Sequence, residues 1–231
     1  EELSAFGSEE IPEFNDALDE AMAAAENEQA GEIDLADNDK VINGVYTIRS
    51  AGDHKFTCSR ETGNRIVVDG ANILAEDNIK IYLDNVNINT PFPALQIQKS
   101  VQAQVYIYLE GINKLNSGWN AALQKDNAAK LTIDNSDNSS KNIGKLIATA
   151  SSGAGIGGGF ENTGSNITIS GGSVTATSTY GAGIGGGFMS TGSNITISGG
   201  SVTATSGSGA GIGGGPGYTG SDITISGGSV T

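Results

Sequence analysis

Three short segments, IKIYLD, VYIYLE and LTID, close on carboxylates, Asp84, Glu110 and Asp134, after alternating apolar runs. Such alternation marks a half-buried strand in which every second side chain faces solvent. Aligned on their acids, the segments place the three carboxylates on adjacent strands, about 4.8 Å apart. At that spacing they repel unless a cation bridges them, a lysine intervenes or their pKa values rise. Calcium is the cation that suits them, a hard ion taking several oxygen ligands, with Asn85 and Asn135 as further donors. The competing reading has each acid opening a turn, since Asp-Asn and Glu-Gly follow the strand ends, with its carboxylate in water.

Beside that column, Tyr82 and Tyr108 stack outward on neighbouring strands, with Lys80 next to them and Tyr106 in register with Lys80. A run of exposed aromatics holds the apolar face of a sugar ring while flanking polar groups fix its orientation. Cross-strand aromatic packing beneath a loop is the plainer alternative. Trp119, the single tryptophan, lies in the corner SGWN and suits either role. Tyr82, Tyr106, Tyr108 and Trp119 are therefore the expected carbohydrate-binding residues, and Asp84, Glu110 and Asp134 the expected calcium ligands. Phe160 and Phe188 recur one repeat apart, but Pro216 takes the third place, which breaks any continuous strip.

Other chemistry finds less support. Cys58 is the only cysteine and His54 the only histidine, so an internal disulfide, a cysteine-based zinc cluster and a His-rich metal site are excluded. Cys58 alternates with Phe56, which predicts a buried and inert thiol. Lyase chemistry needs an Arg or Lys base, for which Lys80 or Lys130 would serve. Residues 146–231 contain no Lys, Arg or His, so the repeats there are no active site. An ice-binding reading of the Thr-x-Thr pairs rests on two complete pairs, Thr175 with Thr177 and Thr203 with Thr205. The glycine-rich runs are not phosphate loops, for no Lys-Ser/Thr or helix follows them. No residue is assigned a catalytic role, and no cofactor is required.

The element that must position these residues is a repeat. GAGIGGG occurs at 153–159, 181–187 and 209–215, and S(N/D)ITISGGSVT at 165–175, 193–203 and 221–231, a spacing of 28 residues. One such unit cannot bury its own apolar face and must stack on its neighbours, the signature of a solenoid. Each repeat supplies three short strands, around AGIG, NITIS and SVTAT, with Ile167, Ile169, Val174 and Ala176 inward. The Gly171-Gly172 pair permits the corner between the last two. Traced backwards, the alignment puts Ile81, Ile107, Leu131, Ile167, Ile195 and Ile223 in one inward column. Leu83, Leu109, Ile133, Ile169, Ile197 and Ile225 form the next. Ala94, Ala122, Ala154, Ala182 and Ala210 share a third position. The chain is thus expected to be all-β, a right-handed parallel β-helix of about six coils.

Three regions follow. Residues 1–40 form an acidic arm, either mobile or with a capping helix over 14–27. Residues 41–145 form irregular coils, and residues 146–231 the regular ones. The sequence stops inside a repeat, so further coils are expected beyond it. Of 26 Asp and Glu, fourteen lie in residues 1–39, where there is no Lys or Arg, and the remaining twelve are balanced by 12 Lys and Arg. A nearly neutral body without a basic stripe argues against a nucleic-acid partner. No apolar run approaches the roughly 18 residues of a membrane span.

The segments GAGIGGG and GSNITISGGSVTAT, preceded by NIKIYLDNVNI and VYIYLEGINKLNSG, resemble repeat-bearing cell-surface proteins of Firmicutes and other anaerobes. Many of these are labelled carbohydrate-binding-domain-containing proteins. The resemblance spans roughly residues 41–231. It implies a pectate-lyase-like β-helix, secretion or display at the cell surface, and a role as an adhesin or polysaccharide binder with cell-surface glycan as partner. A purely structural stalk and a calcium-dependent polysaccharide lyase are the alternatives.

Overall fold

Every strand of the repeat is too short to bury a core alone, and the chain solves this by coiling. In the computed structural model, which describes residues 31–136 and 143–231, three parallel sheets run the length of the stack. The first has eight strands: Ile33–Asp34, Gly52–Thr57, Asn78–Asp84, Gln104–Glu110, Leu131–Asn135, Gly164–Ile169, Gly192–Ile197 and Gly220–Ile225. The second has seven, from Val45–Ile48 to Ile212–Gly213, and the third six, from Asn87–Thr90 to Ser229–Val230. All ladders between these strands are parallel, each strand pairing with its counterparts one coil before and one coil after. This is the expected parallel β-solenoid of about six coils. The expected cap helix over 14–27 lies outside the described residues.

Inward positions form continuous aliphatic columns. Ile79, Val105, Leu131, Ile167, Ile195 and Ile223 pair in sequence, as do Ile81, Ile107, Ile133, Ile169, Ile197 and Ile225. Leu131 therefore pairs with Val105, two residues from its expected partner Ile107. A slip of two preserves which side chains face in, because the pleat repeats every two residues, but it shifts every column between the two halves. Leu83 and Leu109 fill a column that has no aliphatic partner above it, and a Cβ on Gly172 would meet the Leu109 side chain at 2.9 Å. Gly172, Gly200 and Gly228 all turn this corner with φ of 76° or 77°, a conformation open to glycine.

The alanine column is corrected as well. Leu95, Leu123 and Ile156 are in register, so Ala94 and Ala122 align with Gly155 and not with Ala154. The slip is hidden because all four positions are buried. On the same sheet Gly157, Gly185 and Gly213 stack so closely that a Cβ on Gly157 would lie 2.2 Å from the Gly185 carbonyl oxygen, and one on Gly185 2.1 Å from that of Gly213.

Two polar residues occupy inward places. Asn113, fully buried, stands where the following coils carry Leu146 and Val174. Its Oδ1 accepts from the Val86 amide (2.9 Å), and its Nδ2 donates to the carbonyls of Leu83 (3.0 Å) and Glu110 (2.8 Å), binding adjacent coils together. Lys125 pairs with Ile97 and is also fully buried; its Nζ donates to the carbonyls of Asn127 and Ser165, both at 2.8 Å. It plugs the stack where the irregular coils meet the regular ones. No helix among the described residues is long and apolar enough to cross a membrane.

Candidate carbohydrate-binding face

The outward side of the first sheet is built by the same alternation that fills the core. In Asn78–Asp84 and Gln104–Glu110 the inward residues are Ile79, Ile81, Leu83 and Val105, Ile107, Leu109, which leaves Lys80, Tyr82, Asp84 and Tyr106, Tyr108, Glu110 outside. The ladder pairs Lys80 with Tyr106, Tyr82 with Tyr108 and Asp84 with Glu110, as expected. One coil lower, Asp53, Lys55 and Thr57 continue these three columns. One coil higher, Thr132 pairs with Tyr106 and Asp134 with Tyr108.

The structure thus brings two of the three expected acids together and separates the third. Asp134 lies in the tyrosine column because of the two-residue shift in register. Its Oδ1 accepts from the Asn135 amide at 2.7 Å, and Asp84 Oδ1 accepts from Asn85 Nδ2 at 2.8 Å, contacts that suit carboxylates opening turns. Repulsion between Asp84 and Glu110 is relieved by a lysine. Lys55 Nζ lies 3.6 Å from Glu110 and 3.6 Å from Glu32, and the fields of Glu110, Glu32 and Asp84 raise its pKa. Among the described residues no group of three or more His, Cys, Asp or Glu side chains converges as a metal-ligand set.

Three tyrosines meet on this face, each half-buried. Tyr82 and Tyr108 are stacked with centroids 5.0 Å apart and planes 25° from parallel; Tyr106 and Tyr108 lie 6.1 Å apart and 3° from parallel. The stack turns one face of Tyr82 and one of Tyr108 toward each other. Their outer faces point toward the rungs of Lys55 and Asp134, and Tyr106 widens the surface along the strand. Tyr82 Oη donates to Asp53 Oδ2 at 3.4 Å, and Lys80 Nζ is 3.5 Å from Asp53 Oδ1. Burial raises the pKa of Tyr82 and Tyr108, keeping both hydroxyls as donors. Asp53 raises the pKa of Lys80. Trp119 does not join them; it projects from the corner between the third and second sheets, 72% exposed.

Two open grooves follow the corner between the first and third sheets. One, about 440 Å³, is lined by Glu32, Asp34, Asp84 and Asn85, with Thr57, Cys58 and Ser59. The other, about 360 Å³, runs past Arg60, Glu61, Asn87 and Lys114. Cys58, expected to be buried, is half-buried at the shared wall, and burial raises the pKa of its thiol. His54 faces inward, its Nε2 3.1 Å from the Ser50 carbonyl, and burial lowers its pKa toward the neutral imidazole. Lys55 and the groove went unnoticed in the sequence, although the alternation of HKFTC puts Lys55 outward beside Tyr82.

The regular coils carry a smaller aromatic group. Phe160 and Phe188 stack at 5.7 Å, with Tyr180 edge-on to Phe188 at 6.1 Å. Glu161 and Met189 flank them, Lys99 Nζ donates to Asn162 Oδ1 at 3.5 Å, and on the first sheet Asn194 donates from its Nδ2 to Asn166 Oδ1 one coil away.

A family model described as Beta helix repeat matches residues 167–188 and 195–216, within the regular coils. No curated protein and no solved structure matched the chain.

Proposed function

We propose that the protein is a secreted or cell-surface β-helix that binds polysaccharide on the outward face of its first sheet, with the regular coils as a rigid stalk. The observation that carries this reading is the meeting of Tyr82, Tyr106 and Tyr108 on one solvent-facing surface, flanked by hydrogen-bonding side chains. Aromatic faces with a few fixed polar groups are what a pyranose ring requires. Lys55 supplies the countercharge that Asp84 and Glu110 need, so this reading requires no calcium. A lyase base would need an available amine, and the raised pKa of Lys80 works against that role.

The stacking of Tyr82 on Tyr108 favours a second reading, a purely structural adhesin spacer in which the rings are cross-strand packing. A glycan array probed with and without EDTA separates the two. Binding that survives EDTA is expected; no binding under either condition leaves the spacer alone.

A further inference from the structure

The charges around the tyrosines limit which polysaccharide can lie there, an inference that rests on the binding reading above. Two ammonium groups flank the rings, Lys55 in register with Tyr82 and Lys80 in register with Tyr106. Both are engaged. Lys55 is shared between Glu32 and Glu110, and Lys80 is held by Asp53. Among the described residues neither Asp84 nor Asp134 forms a direct ion pair; Asp84 lies only in the field of Lys55, whose nitrogen is held by Glu32 and Glu110. Asp134 sits in the same column as the stacked rings, directly above Tyr108. Asp84 leads from the ring face into the 440 Å³ groove, whose other charged residues, Glu32 and Asp34, are also acidic. Hydrogen bonding to Ser59 lowers the pKa of Asp34, which favours its ionised form.

We propose that this face selects neutral, hydroxyl-rich polysaccharides and rejects polyuronates. A polyuronate chain carries one carboxylate per sugar. Laid over the rings, it would bring successive negative charges within a Debye length, about 8–10 Å, of Asp84 and Asp134. The two lysines in register with the rings are already held by Glu32, Glu110 and Asp53, and the exposed Lys130, at the far end of its strand from Asp134, stands outside these ion pairs. A neutral chain meets carboxylates, amides and tyrosine hydroxyls that accept and donate to its hydroxyl groups at no such cost. A calcium-bridged uronate site would instead need protein carboxylates converging on the cation, and among the described residues no three His, Cys, Asp or Glu side chains do so.

The test is affinity electrophoresis of the full chain at low ionic strength in gels containing β-glucan, xylan, mannan or polygalacturonate, each with EDTA or with calcium. Retardation by at least one neutral polymer is expected, with polygalacturonate binding at least tenfold more weakly in either condition. Asp84→Asn with Asp134→Asn should narrow that gap, read as the ratio of the polygalacturonate affinity to the neutral-polymer affinity. Binding of polygalacturonate as tightly as the best neutral polymer, with or without calcium, would overturn the charge selection and leave polysaccharide binding standing. Retardation by none of the four would overturn the binding reading and this inference with it.

Discussion

The irregular coils and the regular coils share one backbone path but are held together differently. In residues 146–231 the close approach of successive rungs depends on glycine, so that the corner at Gly200 and the stacked Gly157 and Gly185 leave no room for a Cβ. In residues 41–145 side chains do more of this work: Leu83 and Leu109 add an aliphatic column, Asn113 hydrogen-bonds across coils, and Lys125 closes the junction. A scaffold built on glycine and small polar residues leaves little on its surface for recognition. Coils built from varied side chains tolerate varied outward residues as well, and the tyrosines and most paired charges are found there.

The largest effect should come from placing a Cβ where the regular coils exclude one. Gly185→Ala, with φ of 129° and a contact of 2.1 Å to the next carbonyl, should cost about 3 kcal/mol or more. Gly63→Ala, in the irregular part, meets nothing closer than 3.8 Å and should change stability by less than about 0.5 kcal/mol. Urea denaturation of the two variants measures the contrast, and equal losses would show that both regions are packed in the same way.

Next in size is Asn113→Ala. It leaves the Val86 amide and the Leu83 and Glu110 carbonyls without their buried partner and should cost about 2–4 kcal/mol by the same measurement. A loss under about 0.5 kcal/mol would mean that the amide network is not what joins the irregular coils.

Lys125 gives a smaller, pH-dependent effect. Burial lowers its pKa from 10.5 to about 8, so between those values the unfolded chain binds the proton and the folded chain does not. Folding stability therefore rises with pH across that window, by up to about 3 kcal/mol in total. Lys125→Met should lose this rise, as followed by thermal melts from pH 7.5 to 10.5. An unchanged pH dependence in the variant would assign the rise to other groups.

How far the sequence reveals this molecule follows from where its periodicity is intact. The 28-residue repeat makes the three strands and their inward residues readable, and alternation carries the same assignment back to Ile79 and Ile81. Register across the 26-residue interval from Val105 to Leu131 is less legible. Matching Asp134-Asn135 to Asp84-Asn85 as equivalent turns placed the strand two residues off, since parity alone does not distinguish the two alignments. The tyrosine face survived that shift because both of its strands lie on one side of it, whereas the acid column crossed it and broke. Lys125 looks like a surface residue by type. Its burial was nonetheless signalled by LQK following the LQI of the coil below, which puts it in the place of Ile97. The tight glycine stacking followed from backbone proximity that no side-chain pattern encodes.

The central claim is that recognition belongs to the irregular coils and support to the regular ones. It is tested most directly by measuring polysaccharide binding of two double variants, Tyr82→Ala with Tyr108→Ala and Phe160→Ala with Phe188→Ala, each shown by circular dichroism to keep its β-fold. The tyrosine variant should bind at least tenfold more weakly, and the phenylalanine variant as the parent does. Full binding by the tyrosine variant, with loss in the phenylalanine variant, would contradict the account.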